Sequence, residues 1–378
     1  MAELLKNLFN KANIRSMAGH LARVSPDFDA NGFSTFAIKG LDDLELKERS
    51  KRITDALGRF LPDDFSEAVE ILLASLDPIT DAPVGEMESG LSDHGIGGWP
   101  VMSMADYVAR HGQENVALSL AALKEMTTRF SAEFAIRPFL LNHQKKTLKT
   151  LSKWTDDKNE HVRRLVSEGS RPRLPWGIQL KPFIEDPTAV LQLLERLKDD
   201  PSEYVRRSVA NNLNDIAKDH ADLIGEIAGK WIKDAGPDRK RLVRHGLRTL
   251  IKAGHGGALQ ALGYGPAKVK LKRFEILTPD VQLGATVEFD FEMVSTSSSK
   301  QPLIVDYAIH HMRANGKTSP KVFKWKTVTL KGGDTFNEVR RHAIRPITTR
   351  RYYPGLQRVE ILVNGESLCS GDFNLRLE

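Results

Sequence analysis

The chain has 378 residues, 40% of them hydrophobic and 28% charged, which suits two or three domains or a repeat array with one appended domain. Its one cysteine, Cys369, excludes an internal disulfide and supplies too few thiolates for a structural zinc site, so we expect a small core filler. No run reaches the roughly 20 apolar residues that span a bilayer. Composition therefore predicts a protein without membrane spans, and we expect it in the cytoplasm.

Apolar residues recur at spacings of three and four along the first two thirds of the chain, which indicates amphipathic helices. The segments with this pattern are 1–24, 46–61, 64–76 and 114–141. Residues 77–105 are rich in Gly, Pro and Asp, which predicts a loop with a short helix.

A sequence motif recurs in the middle of the chain. WTDDKNEHVRRLV (154–166) aligns with LKDDPSEYVRRSV (197–209) and, more weakly, with GPDRKRLVRHGL (236–247). The period of about 40 residues is typical of HEAT-like helical pairs, which bury their apolar faces by stacking on one another. The motif predicts a HEAT-like helical repeat solenoid that lines its basic residues along one concave side.

From about residue 265 the periodicity changes to two, with β-branched and aromatic residues separated by GG, NG and PG turns. Six or seven short strands predict an immunoglobulin-like sandwich that lacks the usual cysteine pair. We therefore expect a mostly α protein with two domains, a helical repeat domain at 1–264 and a small all-β domain at 265–378.

Charge is unevenly distributed along the chain. Lys and Arg against Asp and Glu give −8 for residues 1–120, +8 for 121–265 and +6 for 266–378. Clustered cations favour a polyanionic partner, because they release counterions from phosphates. A solvated surface of mixed charge remains the alternative explanation.

The absence of several known motifs argues against some classes of reaction. GxGxxG, GxxxxGK[ST] and HExxH are all missing, which argues against nucleotide hydrolysis and zinc hydrolysis. His310 and His311 are adjacent in a strand-like segment, so their side chains point to opposite faces. We expect neither a metal nor a cofactor.

Three carboxylates lie about one repeat apart beside basic and aromatic residues. These are Glu133, Glu168 and Asp215, and Trp176 follows Glu168 closely. Stacked repeats would bring the three acids to one side of a groove. The alternatives are ordinary ones: Glu168 ends a helix, Glu133 pairs with Arg137 at i+4, Asp215 pairs with an arginine of the adjacent repeat, and Trp176 packs between repeats.

Four segments carry a resemblance to a known family. SAEFAIRPFL, HVRRLVSEGSRPRLPWG, YVRRSVANNLNDIAKDHADL and GGWPVMSMADYV resemble the AlkC branch of the DNA alkylation-repair glycosylases, relatives of AlkD, and the similarity covers nearly the whole chain. The resemblance implies a HEAT-like repeat enzyme of base excision repair that works without a base-flipping pocket. Its substrates would be cationic N3-alkylated bases in double-stranded DNA, namely 3-methyladenine and 3-methylcytosine.

The same resemblance assigns roles to the candidate residues. Glu133, Glu168 and Asp215 match the acidic positions of the active site, and Trp176 matches the aromatic one. Carboxylates beside the sugar would stabilise the oxocarbenium ion that forms as the base departs, and one could hold the attacking water. The ring of Trp176 would lie against the cationic deoxyribose.

Basic residues along the chain are expected to contact DNA phosphates. They are Arg163, Arg164, Arg171, Arg173, Arg206, Arg207 and Arg244 in the helical part, and Lys324, Lys326, Arg350 and Arg351 in the tail. We expect a monomer in the bacterial cytoplasm or nucleoid. The second hypothesis is a non-catalytic repeat scaffold that binds distorted or branched nucleic acid, or an acidic protein, with its concave face.

Overall fold

The computed structural model describes residues 5–79, 92–348 and 350–377. Helices occupy the chain as far as Ala261, and strands follow from Val269. No helix in these ranges is long and apolar enough to cross a membrane. The helices are α1 (Lys11–Val24), α2 (Ala30–Ile38), α3 (Leu46–Phe60), α4 (Phe65–Ala74), α5 (Pro100–His111), α6 (Val116–Met126), α7 (Arg137–Asn142), α8 (Gln144–Trp154), α9 (Glu160–Gly169), α10 (Lys181–Glu185), α11 (Thr188–Leu197), α12 (Glu203–Ile216), α13 (Ala221–Ile232), α14 (Pro237–Gly246), α15 (Arg248–Lys252) and α16 (Gly256–Ala261).

The helices expected at 1–24, 46–61 and 64–76 are confirmed as α1, α3 and α4 within the described residues. Polar side chains fix where helices begin: Asp64 Oδ1 accepts the backbone N–H of Glu67 at 3.0 Å before α4. Such a cap stabilises a helix by about 1 kcal/mol. Of the loop expected at 77–105, residues 80–91 lie outside the described residues, and α5 begins at Pro100.

The long helix expected at 114–141 is interrupted. α6 ends at Met126 and α7 begins at Arg137, with irregular chain between them. Thr128 Oγ1 donates to the carbonyl of Glu125 at 2.7 Å, and such local hydrogen bonds compete with helix formation. Glu133 consequently lies in a loop between two helices rather than on a helix face.

The repeated motif has a structural basis in α9 and α12, which pack against each other. Arg163 of α9 forms a bidentate ion pair with Asp200, at 2.6 and 2.9 Å, just before α12. In the preceding copy of the motif, Asp157 forms an ion pair with Lys124 at 2.6 Å. The aspartate of the motif thus binds a cation from an earlier helix in both copies, while the HEAT-like solenoid stays a prediction.

The strands form two sheets that share one hydrophobic core. The strands are β1 (Val269–Ile276), β2 (Asp280–Gln282), β3 (Thr286–Ser295), β4 (Gln301–Met312), β5 (Thr318–Leu330), β6 (Thr335–Ala343), β7 (Gly355–Val363) and β8 (Glu366–Arg376). One sheet has the order β1-β3-β6 and the other β2-β8-β7-β4-β5, and among these described strands only the β2–β8 pair is parallel. The sequence pattern missed two of these strands, β2 and β6.

Alternation along β3 builds the core, since Phe289 and Phe291 are fully buried together with Tyr307 of the facing sheet. The rings of Phe289 and Tyr307 contact each other, and all three rings contact Trp325, at 5.4–6.1 Å between centroids. Cys369 packs against this core, and burial raises the pKa of its thiol to about 12. This agrees with the expected role of a core filler.

By its contacts the chain divides into two compact units, Met1–Asp219 and His220–Glu378. The second unit contains α13–α16 as well as all the strands. The expected boundary at 264/265 marks the change from helix to strand, between Ala261 and Val269, and as a domain boundary it stays a prediction.

Within the second unit the turn between β7 and β8 contacts the helices. Asn364 accepts the N–H of Ile304 at 2.8 Å and donates to the carbonyl of Gly265 at 2.7 Å. Beside it, Gly365 has a φ of 81°, and a Cβ there would lie 2.1 Å from the Cα of Gly254. The left-handed backbone and the backbone contact both require glycine at position 365.

Replacing Gly365 with alanine should therefore lower the free energy of unfolding by about 2–5 kcal/mol, through a left-handed residue and an overpacked contact. Gly316 provides a matched control, because its φ is 74° but nothing lies within 4 Å of an added Cβ. Gly316→Ala should cost only about 1–2 kcal/mol. Urea unfolding measures both, and equal losses would show that the Gly254 contact contributes nothing.

Candidate active site

The segment that follows α9 combines a helix end with a short loop. α9 begins after the cap Asn159 and ends at Gly169, where an added Cβ would lie 2.5 Å from Ile136. Glycine thus lets α9 approach the loop that carries Glu133. Glu168, one residue earlier, is on the last turn of α9 and is 5% exposed.

Arg137 holds this loop in place. Its guanidinium is fully buried and donates to three backbone carbonyls, those of Ile178 at 2.7 Å, Gly169 at 2.9 Å and Arg171 at 2.8 Å. Burial lowers the pKa of Arg137 to about 10, so the group remains charged at neutral pH. Both ends of the 169–178 segment are therefore fixed to one side chain.

The alternative in which Glu133 pairs with Arg137 at i+4 is wrong, because the guanidinium of Arg137 donates to backbone carbonyls. A signal was present in FAIRPFL, where one charged residue interrupts an apolar run.

Trp176 lies at the tip of the segment in a strained conformation. Its φ is 65°, in the left-handed region that non-glycine residues rarely adopt, and its side chain is 60% exposed. Lys47 Nζ donates to the Trp176 carbonyl, and the N–H of Gly177 donates to Leu174 at 3.1 Å. Strain of this kind persists only where surrounding contacts impose it, and it is concentrated at functional sites.

Glu168 and Asp215 share one arginine. Arg171 Nη1 donates to Glu168 Oε1 at 2.6 Å, and its Nε donates to Asp215 Oδ2 at 2.8 Å. The other oxygen of Glu168 accepts the Ser208 hydroxyl at 2.6 Å, and that of Asp215 accepts Lys218 at 3.0 Å. Burial disfavours the charge of Arg171, but the two carboxylates outweigh it and raise the pKa of Arg171.

Glu133 joins the same network through Arg164. Arg164 Nη1 donates to Glu133 Oε2 at 2.9 Å, and its Nη2 lies 3.8 Å from Glu168 Oε1. Ser131 also donates to Glu133 Oε2, at 2.8 Å, whereas no described residue donates to Oε1. The structure thus brings together all three predicted acids, linked by Arg164 and Arg171.

A cavity of about 300 Å³ opens beside this network. Glu133, Glu168 and Trp176 line this cavity. Asp215 does not line it but bonds to Arg171, which does. Two aromatic residues that sequence reasoning did not select also line it, Trp99 and Phe130, whose ring centroids are 4.9 Å apart. The GGWP segment that carries Trp99 was part of the family resemblance, and this was the available signal.

Several arginines expected at DNA phosphates are instead held by the protein. Arg163 is paired with Asp200, and Arg206 donates to the carbonyls of Asp200 and Pro201 at 2.6 and 2.8 Å. Arg173 forms a bidentate pair with Asp219 at 2.7 and 2.8 Å. A guanidinium that is already bonded in this way would have to break these bonds before it could bind phosphate.

Arg163, Arg164, Arg171 and Arg206 therefore have partners within the protein, and their expected phosphate contacts stay a prediction. Arg207 differs, since it is exposed and has no ion pair in the described part of the chain. In the second unit, Arg244 is exposed and donates to the Tyr264 hydroxyl at 3.2 Å.

The basic residues expected in the tail are distributed over β5 and the loop before β7. Lys324 is exposed, whereas Lys326 pairs with Glu338 at 2.7 Å. Arg350 lies 5.9 Å from the Tyr352 ring centroid and Arg351 5.5 Å from that of Tyr353. Phosphate contact stays a prediction for each of them.

Replacing Lys47 with methionine should release the Trp176 backbone while leaving the fold intact, because Lys47 is on the surface of α3. We expect the Trp176 resonance to shift and narrow in ¹⁹F NMR of protein labelled with 5-fluorotryptophan. The chain has five tryptophans, and Trp176→Phe assigns the signal.

Lys51→Met is the matched control. Lys47 and Lys51 both line a second cavity, together with Trp176 itself, but Lys51 pairs with Asp55 at 2.8 Å. An unchanged Trp176 signal in Lys47→Met would show that Lys47 does not hold the loop.

Comparison with known proteins identifies the chain's relatives. A family model described as the C-terminal Ig-like domain of uncharacterised protein YhaZ matches residues 270–377. Protein YhaZ of Bacillus subtilis (strain 168) is 36% identical over 373 residues, which cover 98% of this chain and 99% of YhaZ. The structure of Pseudomonas fluorescens alkylpurine DNA glycosylase AlkC, bound to DNA containing an abasic site analog, matches with a TM-score of 0.87 and 39% identity. That match covers 99% of this chain and 100% of the AlkC chain, and so the chain belongs to the AlkC family and carries the immunoglobulin-like domain shared with YhaZ.

Proposed function

We propose that this protein is a DNA glycosylase that removes alkylated bases. The observation that carries the proposal is one cavity lined by two carboxylates, Glu133 and Glu168, and by the exposed ring of Trp176. The family relationship supports it, because AlkC is an alkylpurine DNA glycosylase whose structure holds DNA with an abasic site analog.

The reaction suits a site made of carboxylates. When the bond between C1′ and the base nitrogen breaks, its electron pair leaves with the base, so a cationic N3-alkylated base departs neutral. C1′ is left as an oxocarbenium ion, which nearby carboxylates stabilise electrostatically. Water then adds its oxygen to C1′ and loses a proton to a carboxylate acting as base.

The three acids would differ in role. Glu133 lines the cavity, and no residue in the described part of the chain donates to its Oε1, which suits it to hold the attacking water. Glu168 lies deeper and would supply negative charge next to the sugar. Asp215 does not line the cavity, so its proposed contribution is to orient Arg171 and, through Arg171, Glu168.

The substrates implied by the resemblance are 3-methyladenine and 3-methylcytosine. Excision would proceed without base flipping, as the same resemblance implies. The HEAT-like solenoid, DNA contact by the immunoglobulin-like domain and action as a monomer in the cytoplasm or nucleoid belong to the same proposal.

One observation favours the second candidate, a non-catalytic scaffold that binds distorted nucleic acid. Both oxygens of Glu168 and both oxygens of Asp215 accept hydrogen bonds within the network, as expected of residues that only join helices. Loss of the Glu168 charge distinguishes the two functions.

Glu168→Gln should slow base release by about 100-fold or more, the cost of losing one electrostatic stabiliser. The fold should persist, because the amide oxygen can still accept from Arg171 and the amide nitrogen can donate to Ser208. Release of free 3-methyladenine from methylated duplex DNA in a single turnover measures the rate.

Glu160→Gln is the control on the same helix, because Glu160 is exposed and outside the cavity. It should release base at the parental rate. If Glu168→Gln also released base at the parental rate, Glu168 would have a structural role only. If the parent protein released no base, the non-catalytic scaffold would be favoured.

Arg207→Ala should weaken binding to modified and unmodified DNA alike and reduce the slope of log affinity against log salt by about one. Arg163→Ala should leave that slope unchanged and instead destabilise the fold by about 3 kcal/mol, since Asp200 would be left buried and unpaired. Salt titrations of DNA binding and thermal unfolding separate the two outcomes. A reduced slope in Arg163→Ala alone would reverse these roles.

A further inference from the structure

Strand β6 presents basic residues toward the interior of the sandwich. It is an edge strand, and its register with β3 places Arg340 opposite Phe289 and His342 opposite Val287. Residues directly opposite in an antiparallel pair point to the same face, and both partners here are fully buried. Arg340 and His342 therefore lie on the core-facing side of β6.

Strand β5, the edge of the other sheet, places Lys321 on its core-facing side. Its register partner is Ile309, which is also fully buried. Lys321 itself is exposed, so this side of the sandwich is open to solvent.

The two cations lie over neighbouring aromatic rings. Tyr307 and Phe323 stack with their centroids 5.3 Å apart. The Arg340 guanidinium is 5.4 Å from the Tyr307 centroid, and Lys321 Nζ is 5.2 Å from the Phe323 centroid. One pair of stacked rings thus contacts two cations, and both cations act electrostatically on His342.

Within the described ranges no carboxylate pairs with either of these two cations. Neither Lys321 nor Arg340 forms an ion pair with any described residue, and the buried Nε of Arg340 has no hydrogen-bond partner. Glu338 is on the same face of β6 but pairs with Lys326 at 2.7 Å. Burial, together with Arg340, Lys321 and Arg350, lowers the pKa of His342 to about 4.

Inward-pointing charges on edge strands also prevent edge-to-edge aggregation. The Lys326–Glu338 pair already supplies such charges on these two strands, and it is neutral. Prevention of aggregation therefore does not explain the two further cations or the unsatisfied donor of Arg340.

We propose that Lys321, Arg340 and His342 form an anion site that binds one phosphate group of a DNA backbone. Arg340 would donate from its guanidinium to the phosphate oxygens, and Lys321 would add a point charge. Tyr307 Oη is 2.9 Å from His342 Nδ1, and when Tyr307 donates there, the neutral ring carries its proton on Nε2 and donates it to the anion. Only the source of the phosphate rests on the proposed function.

The first test is histidine NMR of the full chain titrated with inorganic phosphate at constant ionic strength. His342→Gln assigns the resonance. Bound phosphate should shift the His342 signal and raise the pKa of His342 by about one unit, because an anion favours the imidazolium. Arg340→Gln and Lys321→Gln should each weaken phosphate binding by about 10-fold or more, while Lys331→Gln, an exposed lysine between β5 and β6, should have no effect.

The second test repeats the titration with a short unmodified DNA duplex, which should move the same signal. A His342 signal unmoved by both probes would overturn the site, and one moved by inorganic phosphate alone would overturn its assignment to DNA. Lys321 is exposed, so its variant remains informative if Arg340→Gln fails to fold. Neither titration measures base release, so an inactive glycosylase site would leave these results standing.

Discussion

The buried guanidinium of Arg137 is the interaction on which the candidate site depends. It donates to carbonyls on both sides of the loop after α9, and those bonds determine where Glu168, Arg171 and Trp176 lie. A buried cation without acceptors would cost several kcal/mol, so the loop and Arg137 stabilise each other. The left-handed Trp176 is tolerated because the chain around it is already fixed.

Around this anchor, cations balance the carboxylates. Glu133, Glu168 and Asp215 are matched by Arg164, Arg171 and Lys218. These cations lower the free-energy cost of burying the three carboxylates, and they reduce the negative electrostatic field that reaches the cavity. Among the described residues none donates to Glu133 Oε1. In the proposed mechanism the water is therefore held at Glu133, and Glu168 acts over a short distance from deeper in the site.

The sequence predicted the elements and the residues of the site better than it predicted their contacts. Periodicity located α1, α3, α4 and most strands, and the spacing of the acids indicated that they would converge. It could not show that Arg163 meets Asp200, because ion-pair partners far apart in sequence leave no local pattern. Basic residues in the repeats therefore resembled free phosphate ligands, although the structure pairs several of them internally.

The polar core-facing residues of strand β6 explain both why the sequence pattern missed this strand and why it contributes to the inferred anion site. A half-buried strand is recognised by apolar residues at every second position, but the core-facing positions of β6 after Phe336 are Glu338, Arg340 and His342. Polar residues on that face remove the alternation from the sequence. They are tolerated because an edge strand faces solvent at its open side, where aromatic rings rather than carboxylates hold the cations. A break in hydrophobic alternation within a sheet can thus mark a binding site.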